Sequence, residues 1–322
     1  MHQEKTHDLE EEIRRDYSNM AGITVRKNGV SVYEHFFNGY APDTAFHVFS
    51  VTKSILSALI GIAVEKGCIQ SIDQKVLDFF PEYTPKRGEK TAQRVTMRDM
   101  MTMTAPFKYK SAPYTKYFTS EDWVKSALDL LGGKGEIGTF RYTPLIGPDI
   151  LSGILTKVTG QSALRFAQEN LFSPLGIDVP QNVVFHSKEE QLAIMKDHHE
   201  SGWAADPQGI NTAGWGLFIT PADMAKIGQL YLNRGAWNGR QLVSAEWIDE
   251  STTRHSSWDK FHYGYLWWII DENEHSYAAL GDGGNVIYGN PAKNLVVAMA
   301  SLFFPKAKDR IELIKKKIEP IF

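Results

Sequence analysis

The sequence predicts an α+β fold: one antiparallel sheet built from both chain ends, with flanking helices and an inserted, mainly helical lobe. Three observations carry this. Residues 23–37 alternate on both sides of Asn28-Gly29, the turn signal of a two-residue hairpin. Strand-like runs come from Tyr263 onward, at 263–270, 276–280, 286–288 and 295–301, with turns rich in Gly, Asn and Pro between the later ones. Residues 69–200 read as mainly helical, punctuated by Pro81, Pro85, Pro106, Pro113, Gly132-Gly133, Pro144, Pro148, Pro174 and Pro180. The expected division is a sheet lobe from 1–68 and 201–322 and a helical lobe from 69–200. The active site is expected in the cleft between them.

Taken in order, residues 8–19 form a polar, charged helix ahead of the hairpin. A short apolar run, Phe46-His47-Val48-Phe49, then ends in Ser50, and a long apolar helix starts there and stops at Gly67. In the helical lobe Tyr109, Tyr114, Tyr117, Phe118 and Trp123 cluster, either as packing or as a substrate wall. Thr220-Pro221-Ala222-Asp223 opens a helix with a threonine cap, a proline in first position and an acid three residues on. It runs to about Arg234, and a second starts after Ser244. An amphipathic helix over about 306–317 follows the last strand, with Ile311, Leu313 and Ile314 as its apolar side. No internal repeat or low-complexity tract interrupts this order.

At 322 residues, with 43% apolar and 23% charged residues, the chain has the composition of a soluble globular protein with a large core. A net charge of −3 gives no footprint for nucleic acid, and Lys315-Lys316-Lys317 reads as a solvated face. Cys68 is the single cysteine, which excludes intrachain disulfides and argues against a cysteine metal site. Residues 1–20 lack the apolar core of a secretory signal, and no stretch is long and apolar enough to span a bilayer. The expectation is a cytoplasmic protein with a small-molecule substrate, no nucleic-acid or membrane partner, no metal and no cofactor. Oligomeric state is left open.

The anomaly is Lys53. Nothing else between Ser50 and Glu65 is charged, so the helix is core on most faces. A cation in the first turn also opposes the helix dipole. Ser50 and Lys53, three apart, share one helix face. One reading makes Ser50 an N-cap and lets Lys53 snorkel to water. The other makes Ser50 a nucleophile activated by a desolvated lysine, one of the Ser-Lys solutions to acyl transfer. Lowering the lysine pKa to near 7 takes about 4 kcal/mol of differential interaction, which burial can supply. Ser257-Trp258-Asp259-Lys260 has the same spacing in a polar stretch with no apolar helix behind it.

Other chemistries are less well supported. His198-His199-Glu200 is the densest ligand-like cluster but lacks the spacing of a helical zinc motif. No Gly-x-Ser-x-Gly elbow occurs, so an α/β-hydrolase triad is not supported.

Ordered across nearly the whole chain, a set of motifs resembles the serine β-lactamase and penicillin-binding-protein superfamily, especially its class C-like branch of esterases, peptidases and amide hydrolases. Phe49-Ser50-Val51-Thr52-Lys53-Ser54 is similar to the nucleophile motif. Val95-Thr96-Met97-Arg98-Asp99-Met100-Met101-Thr102-Met103-Thr104 resembles the helix that follows, with Met103 and Ala105-Pro106 in place of the usual His and Ser-Gly. Gly138-Thr139-Phe140-Arg141-Tyr142-Thr143 resembles the second motif, and Gly281-Asp282-Gly283-Gly284-Asn285 stands at the third. Gly214-Trp215-Gly216-Leu217-Phe218 and Tyr263-Gly264-Tyr265-Leu266-Trp267-Trp268 also fit.

The resemblance implies the β-lactamase/transpeptidase-like fold, with Ser50 as nucleophile, Lys53 as its partner and Tyr142 as a second proton-transfer group. It also implies an oxyanion hole from the backbone N–H groups of Ser50 and Asn285, with Asp282, Gly283 and Gly284 as substrate-binding candidates. Read from its neighbours alone, Tyr142 is a tyrosine ending a loop before a helix, and Asp282 is a turn-forming aspartate.

Two departures bear on substrate. The asparagine that often ends the second motif is Pro144, which has no donor. The Lys or His that often begins the third is Asp282, and a carboxylate there repels the carboxylate of β-lactams and D-Ala-D-Ala peptides. The expected function is a serine hydrolase acting through an acyl-enzyme on a small ester or amide, ranked above β-lactamase activity. The alternative is a non-catalytic or single-turnover sensor on the same fold.

Overall fold

The computed structural model describes residues 2–185, 189–190 and 201–322. Its centre is an eight-stranded sheet, whose strands are β1 (Met20–Lys27), β2 (Val30–Phe36), β3 (Ser256–Trp258), β4 (Phe261–Tyr263), β5 (Trp268–Asp271), β6 (Ser276–Gly281), β7 (Asn285–Asn290) and β8 (Leu295–Ser301). The spatial order is β2-β1-β8-β7-β6-β5-β4-β3, every pair antiparallel. The N-terminal hairpin therefore joins the C-terminal strands through β1 and β8, with Ile23 opposite Met299 and Val25 opposite Val297. Asn28 and Gly29 make the predicted hairpin turn, both at positive φ (52° and 82°).

Both sheet faces are covered, which is why β8 reads as an unbroken apolar run, Leu-Val-Val-Ala-Met-Ala. Its alternate residues serve different layers. Val297 and Met299 pack with Leu9 and Ile13 of helix α1 (His2–Asp16) and with Leu313, Ile314 and Ile318 near the C-terminus. Val296, Ala298 and Ala300 belong to the larger core on the other face. That core includes α2 (Val51–Glu65), whose residues Val51 to Ala63 are all buried. It also takes in α3 (Met97–Met101), α4 (Tyr114–Phe118), α5 (Trp123–Leu130), α6 (Pro148–Thr159), α7 (Ala163–Ala167), α8 (Pro221–Leu232) and α9 (Ala245–Ser251).

The sequence misplaces several boundaries. Helix α1 ends at Asp16, not 19, because the Met20 amide donates to the Tyr17 carbonyl as the chain turns into β1. The run 263–270 is not one strand but two, β4 and β5. Gly264 N–H donates to Trp267 O, Leu266 N–H donates to Met101 O, and Leu266 adopts φ 63°. The last helix starts only at α10 (Arg310–Leu313), where Asp309 caps the Ile311 and Glu312 amides, and Ile314–Ile318 continues as a π-helical turn. Its three lysines each reach an acid: Lys315 to Asp271, Lys316 to Glu312 and Lys317 to Glu12.

Candidate active site

Ser50 stands at the start of α2 with helical backbone angles (φ −67°, ψ −5°), and its side chain caps no amide. The N-cap reading of Ser50 therefore fails, and Oγ is available to Lys53. One helical turn on, Lys53 is 1% exposed, so it does not snorkel. Its Nζ lies 2.8 Å from Ser50 Oγ, 2.6 Å from the Pro144 carbonyl oxygen and 2.7 Å from the Gly214 carbonyl oxygen. Carbonyl oxygens can only accept, so two N–H bonds are committed to them. A neutral amine then has its lone pair left for the Ser50 hydroxyl. Burial pushes the Lys53 pKa down to about 7, against the charges of Asp282 and Asp149, which pull it up.

The Pro144 departure is resolved by the backbone. With no side-chain donor to offer, Pro144 contributes its carbonyl, and Gly214 supplies the second acceptor. The two approach closely: a β-carbon on Gly214 would lie 2.6 Å from Leu145 O and 3.0 Å from Pro144 O. Only glycine lets the bend at 213–215 lie against that loop.

Tyr142 is carried by the loop between α5 and α6. The Arg141 amide bonds Met103 O at 2.7 Å, and the Arg141 guanidinium donates to the Phe107 carbonyl at 2.8 Å and to the Tyr109 carbonyl. These bonds anchor the loop beside Tyr142. Its ring packs against Tyr263 and Trp268, at centroid separations of 6.2 and 5.4 Å, and lies 5.3 Å from Lys53 Nζ. Burial raises the phenol pKa, the charge of Asp282 adds to this, and a hydrogen bond with Ser50 opposes it. Ser50, Lys53 and Tyr142 are thus brought together.

The third motif forms the tight turn Asp282–Gly284 between β6 and β7. Gly281, at the end of β6, meets the start of α2: a β-carbon there would lie 2.3 Å from Val48 O and 3.3 Å from Ser50 N. Asn285 pairs with Gly281 across the hairpin. The fully buried Asn285 side chain donates to Asp282 O and Ser301 O and accepts from Ser301 N–H, so it locks the turn. From behind, Asn19 donates to Gly283 O at 2.6 Å and accepts from Arg310 at 2.7 Å. Asp282 itself is exposed, close enough for its charge to act on Lys53, Tyr142 and Tyr114.

Sequence reasoning missed Asp149, which is 2% exposed at the start of α6. It accepts from Tyr117 Oη (2.5 Å), Thr212 Oγ1 (2.9 Å), Ala213 N (2.7 Å) and Gly214 N (3.4 Å). Burial raises its pKa to about 6, and these donors hold it lower than burial alone would. Its only signal in the sequence was an acid after Pro148, which reads as an ordinary first-turn residue. Tyr117 packs in the core against Phe118 and Trp123, as expected, and its hydroxyl is in addition a buried donor to Asp149. His198-His199-Glu200 lies outside the described residues. Among the described residues no group of three or more His, Cys, Asp or Glu side chains is placed to hold a metal, and no helix is long and apolar enough to cross a membrane.

Comparison with known proteins agrees with this architecture. A 6-aminohexanoate-dimer hydrolase from Paenarthrobacter ureafaciens is 22% identical over 293 residues, 83% of this chain and 69% of that protein. The octameric penicillin-binding protein homologue from Pyrococcus abyssi superposes with a TM-score of 0.71 at 23% identity, covering 96% of this chain and 75% of that one. A family VIII carboxylesterase gives 0.71 at 16% identity, covering 99% and 97%. The family model described as Beta-lactamase matches residues 12–318, and with that span the chain belongs to the Beta-lactamase family.

Proposed function

We propose that this protein is a serine hydrolase that forms an acyl-enzyme on Ser50 and acts on small esters or amides. The observation that carries the reading is the Lys53 amine, buried, held by two backbone carbonyls and 2.8 Å from Ser50 Oγ. Lys53 is the base. With a pKa near 7 it is substantially neutral at physiological pH, whereas the phenol of Tyr142, pushed upward by burial, keeps its proton.

In this mechanism Lys53 takes the Ser50 proton as Oγ attacks the substrate carbonyl. The oxyanion forms at the Ser50 N–H, with a second N–H from the hairpin that Gly281 and Asn285 close. Tyr142, bonded to Ser50, passes a proton to the leaving group, and the amine–phenol pair titrates as one coupled unit. Water then cleaves the ester to Ser50 and regenerates the enzyme.

Asp282 selects against substrates with a carboxylate near the scissile bond and favours uncharged or cationic ones. Tyr142 and Trp268, both partly exposed and packed on the buried ring of Tyr263, give the site an aromatic wall suited to an apolar group. The names of the relatives, an amide hydrolase of a short oligomer and a carboxylesterase, fit the same class.

The test is labelling with a fluorophosphonate and mapping of the modified peptide, with Ser50→Ala as control, followed by assays on p-nitrophenyl esters and a chromogenic cephalosporin. Labelling at Ser50 with turnover of the esters is expected. A label elsewhere would overturn the assignment, and a Ser50 label with no turnover of ester, amide or β-lactam would replace it with a single-turnover sensor.

A further inference from the structure

Lys53 acts through its geometry, and one of its two carbonyl acceptors is itself held by a side chain outside the catalytic motifs. The Gly214 carbonyl belongs to a segment, Thr212-Ala213-Gly214, whose three consecutive residues all donate to Asp149: Thr212 through its hydroxyl, Ala213 and Gly214 through their amides. All three bonds fall on Oδ1, and Tyr117 donates to Oδ2 at 2.5 Å. Four donors converge on one buried carboxylate, which leaves an ionised acceptor as the state that satisfies all of them.

The same carboxylate is the second residue of α6, and Pro144 lies five positions before it on the loop leading into that helix. One side chain thus ties the bend carrying Gly214 O to the start of the helix that follows the Pro144 loop, and between the Gly214 and Pro144 oxygens the Lys53 amine is held.

We propose that Asp149 is a positioning residue for the reaction: by clamping Thr212-Ala213-Gly214 to the start of α6 it fixes the two carbonyls that aim the Lys53 lone pair at Ser50. Tyr117 completes the clamp by occupying the other carboxylate oxygen. This rests on the serine-hydrolase reading above.

Physical chemistry favours a role beyond stability. A buried carboxylate is costly unless paired or fully hydrogen-bonded, and an apolar residue would fill the space at lower cost. Its charge also reaches Lys53. The ionisable groups around it are Tyr117 and, through Tyr117, Asp206 and Tyr109; the charge of Asp282 also acts on Lys53. None of these brings a cation to Asp149, and Lys53 is the cationic group whose titration it biases.

The experiment compares Asp149→Ala, Asp149→Asn and Tyr117→Phe with the intact enzyme on a p-nitrophenyl ester, measuring kcat, KM and the pH dependence of kcat/KM. Asp149→Ala should lower kcat by roughly ten- to a hundredfold with KM nearly unchanged, since misplacing the base affects the chemical step and not binding. Asp149→Asn keeps an acceptor for the Ala213 amide. It should recover most of that loss while moving the acid limb of the profile to lower pH, because the charge that favoured protonated Lys53 is gone.

Should the alanine variant fail to fold, Tyr117→Phe removes one donor at constant shape and should still lower kcat severalfold. A folded Asp149→Ala enzyme with the parent kcat and acid limb would overturn the proposal, as would unchanged kinetics in both Asp149→Asn and Tyr117→Phe. Loss of Ser50 labelling in the parent enzyme is a separate result, which would instead sink the hydrolase reading.

Discussion

The Pro144 carbonyl oxygen accepts a hydrogen bond from Lys53 Nζ at 2.6 Å, so a residue with no polar side chain holds the buried amine through its backbone. Pro144 stands where the second motif that this stretch resembles often ends in an asparagine. The main chain supplies the acceptor instead, and together with Gly214 O it fixes where the amine sits beside Ser50 Oγ, while burial is what favours its neutral form.

It follows that Pro144→Ala, which keeps the carbonyl, should retain kcat within about threefold of the parent, the residual loss reflecting a more flexible loop. Steady-state kinetics on a p-nitrophenyl ester check this. A loss of a hundredfold would mean that ring rigidity, not the carbonyl, maintains the contact.

The pH profile follows from the charges around Lys53. Its pKa of about 7 places the acid limb of kcat/KM near neutrality, with activity rising as the amine loses its proton. Asp282 stabilises the protonated form, so Asp282→Asn should move that limb to lower pH and raise activity below neutrality. The shift should shrink with added salt, because Asp282 is exposed. An unmoved limb in the variant would remove Asp282 from the electrostatics of the site. The same charge argument predicts that Asp282→Lys raises kcat/KM for a cephalosporin relative to a neutral ester, measured side by side.

Tyr142→Phe keeps the ring packing against Tyr263 and Trp268 and removes the proton donor. Mutation of a general acid of this kind costs about 10²–10⁴-fold in rate. The loss should be larger for amides, whose leaving amine must be protonated, than for p-nitrophenyl esters, whose phenolate leaves unaided. Equal losses on both substrates would argue that Tyr142 only positions Ser50.

How much of this site was legible depended on whether a role sits in a side chain or in the backbone. The roles proposed for Ser50, Lys53 and Tyr142 rest on side-chain chemistry, and a lone lysine in an apolar helix is visible as a pattern. The carbonyls of Pro144 and Gly214 leave no such mark, because every residue has one. Asp149 carries a visible carboxylate, but its position after a helix-starting proline gives it a local explanation that hides the tertiary one. In the fold, the pairing of chain ends followed from the hairpin signal and the late strands. The break inside 263–270 did not, because an apolar stretch does not reveal that Gly264 and Leu266 reverse the chain.

At Gly281 the end of β6 meets the turn that opens α2. A β-carbon built there lies 2.3 Å from Val48 O, well inside van der Waals contact, and the atom it strikes is backbone that cannot rotate away. Gly281→Ala must therefore move β6 away from the turn that carries Ser50, or shift that turn. The displacement bears on the side of Ser50 proposed to hold the oxyanion, so under that proposal the chemical step suffers more than substrate binding. Overpacking of this sort costs about 1–3 kcal/mol of stability. The variant should unfold at a lower temperature, still fold, and lose kcat by more than tenfold while KM changes little. Thermal unfolding and ester kinetics on one preparation test both halves. Full activity in a destabilised variant would show that the strand can retreat without disturbing the oxyanion site, and would place the second donor elsewhere than in this hairpin.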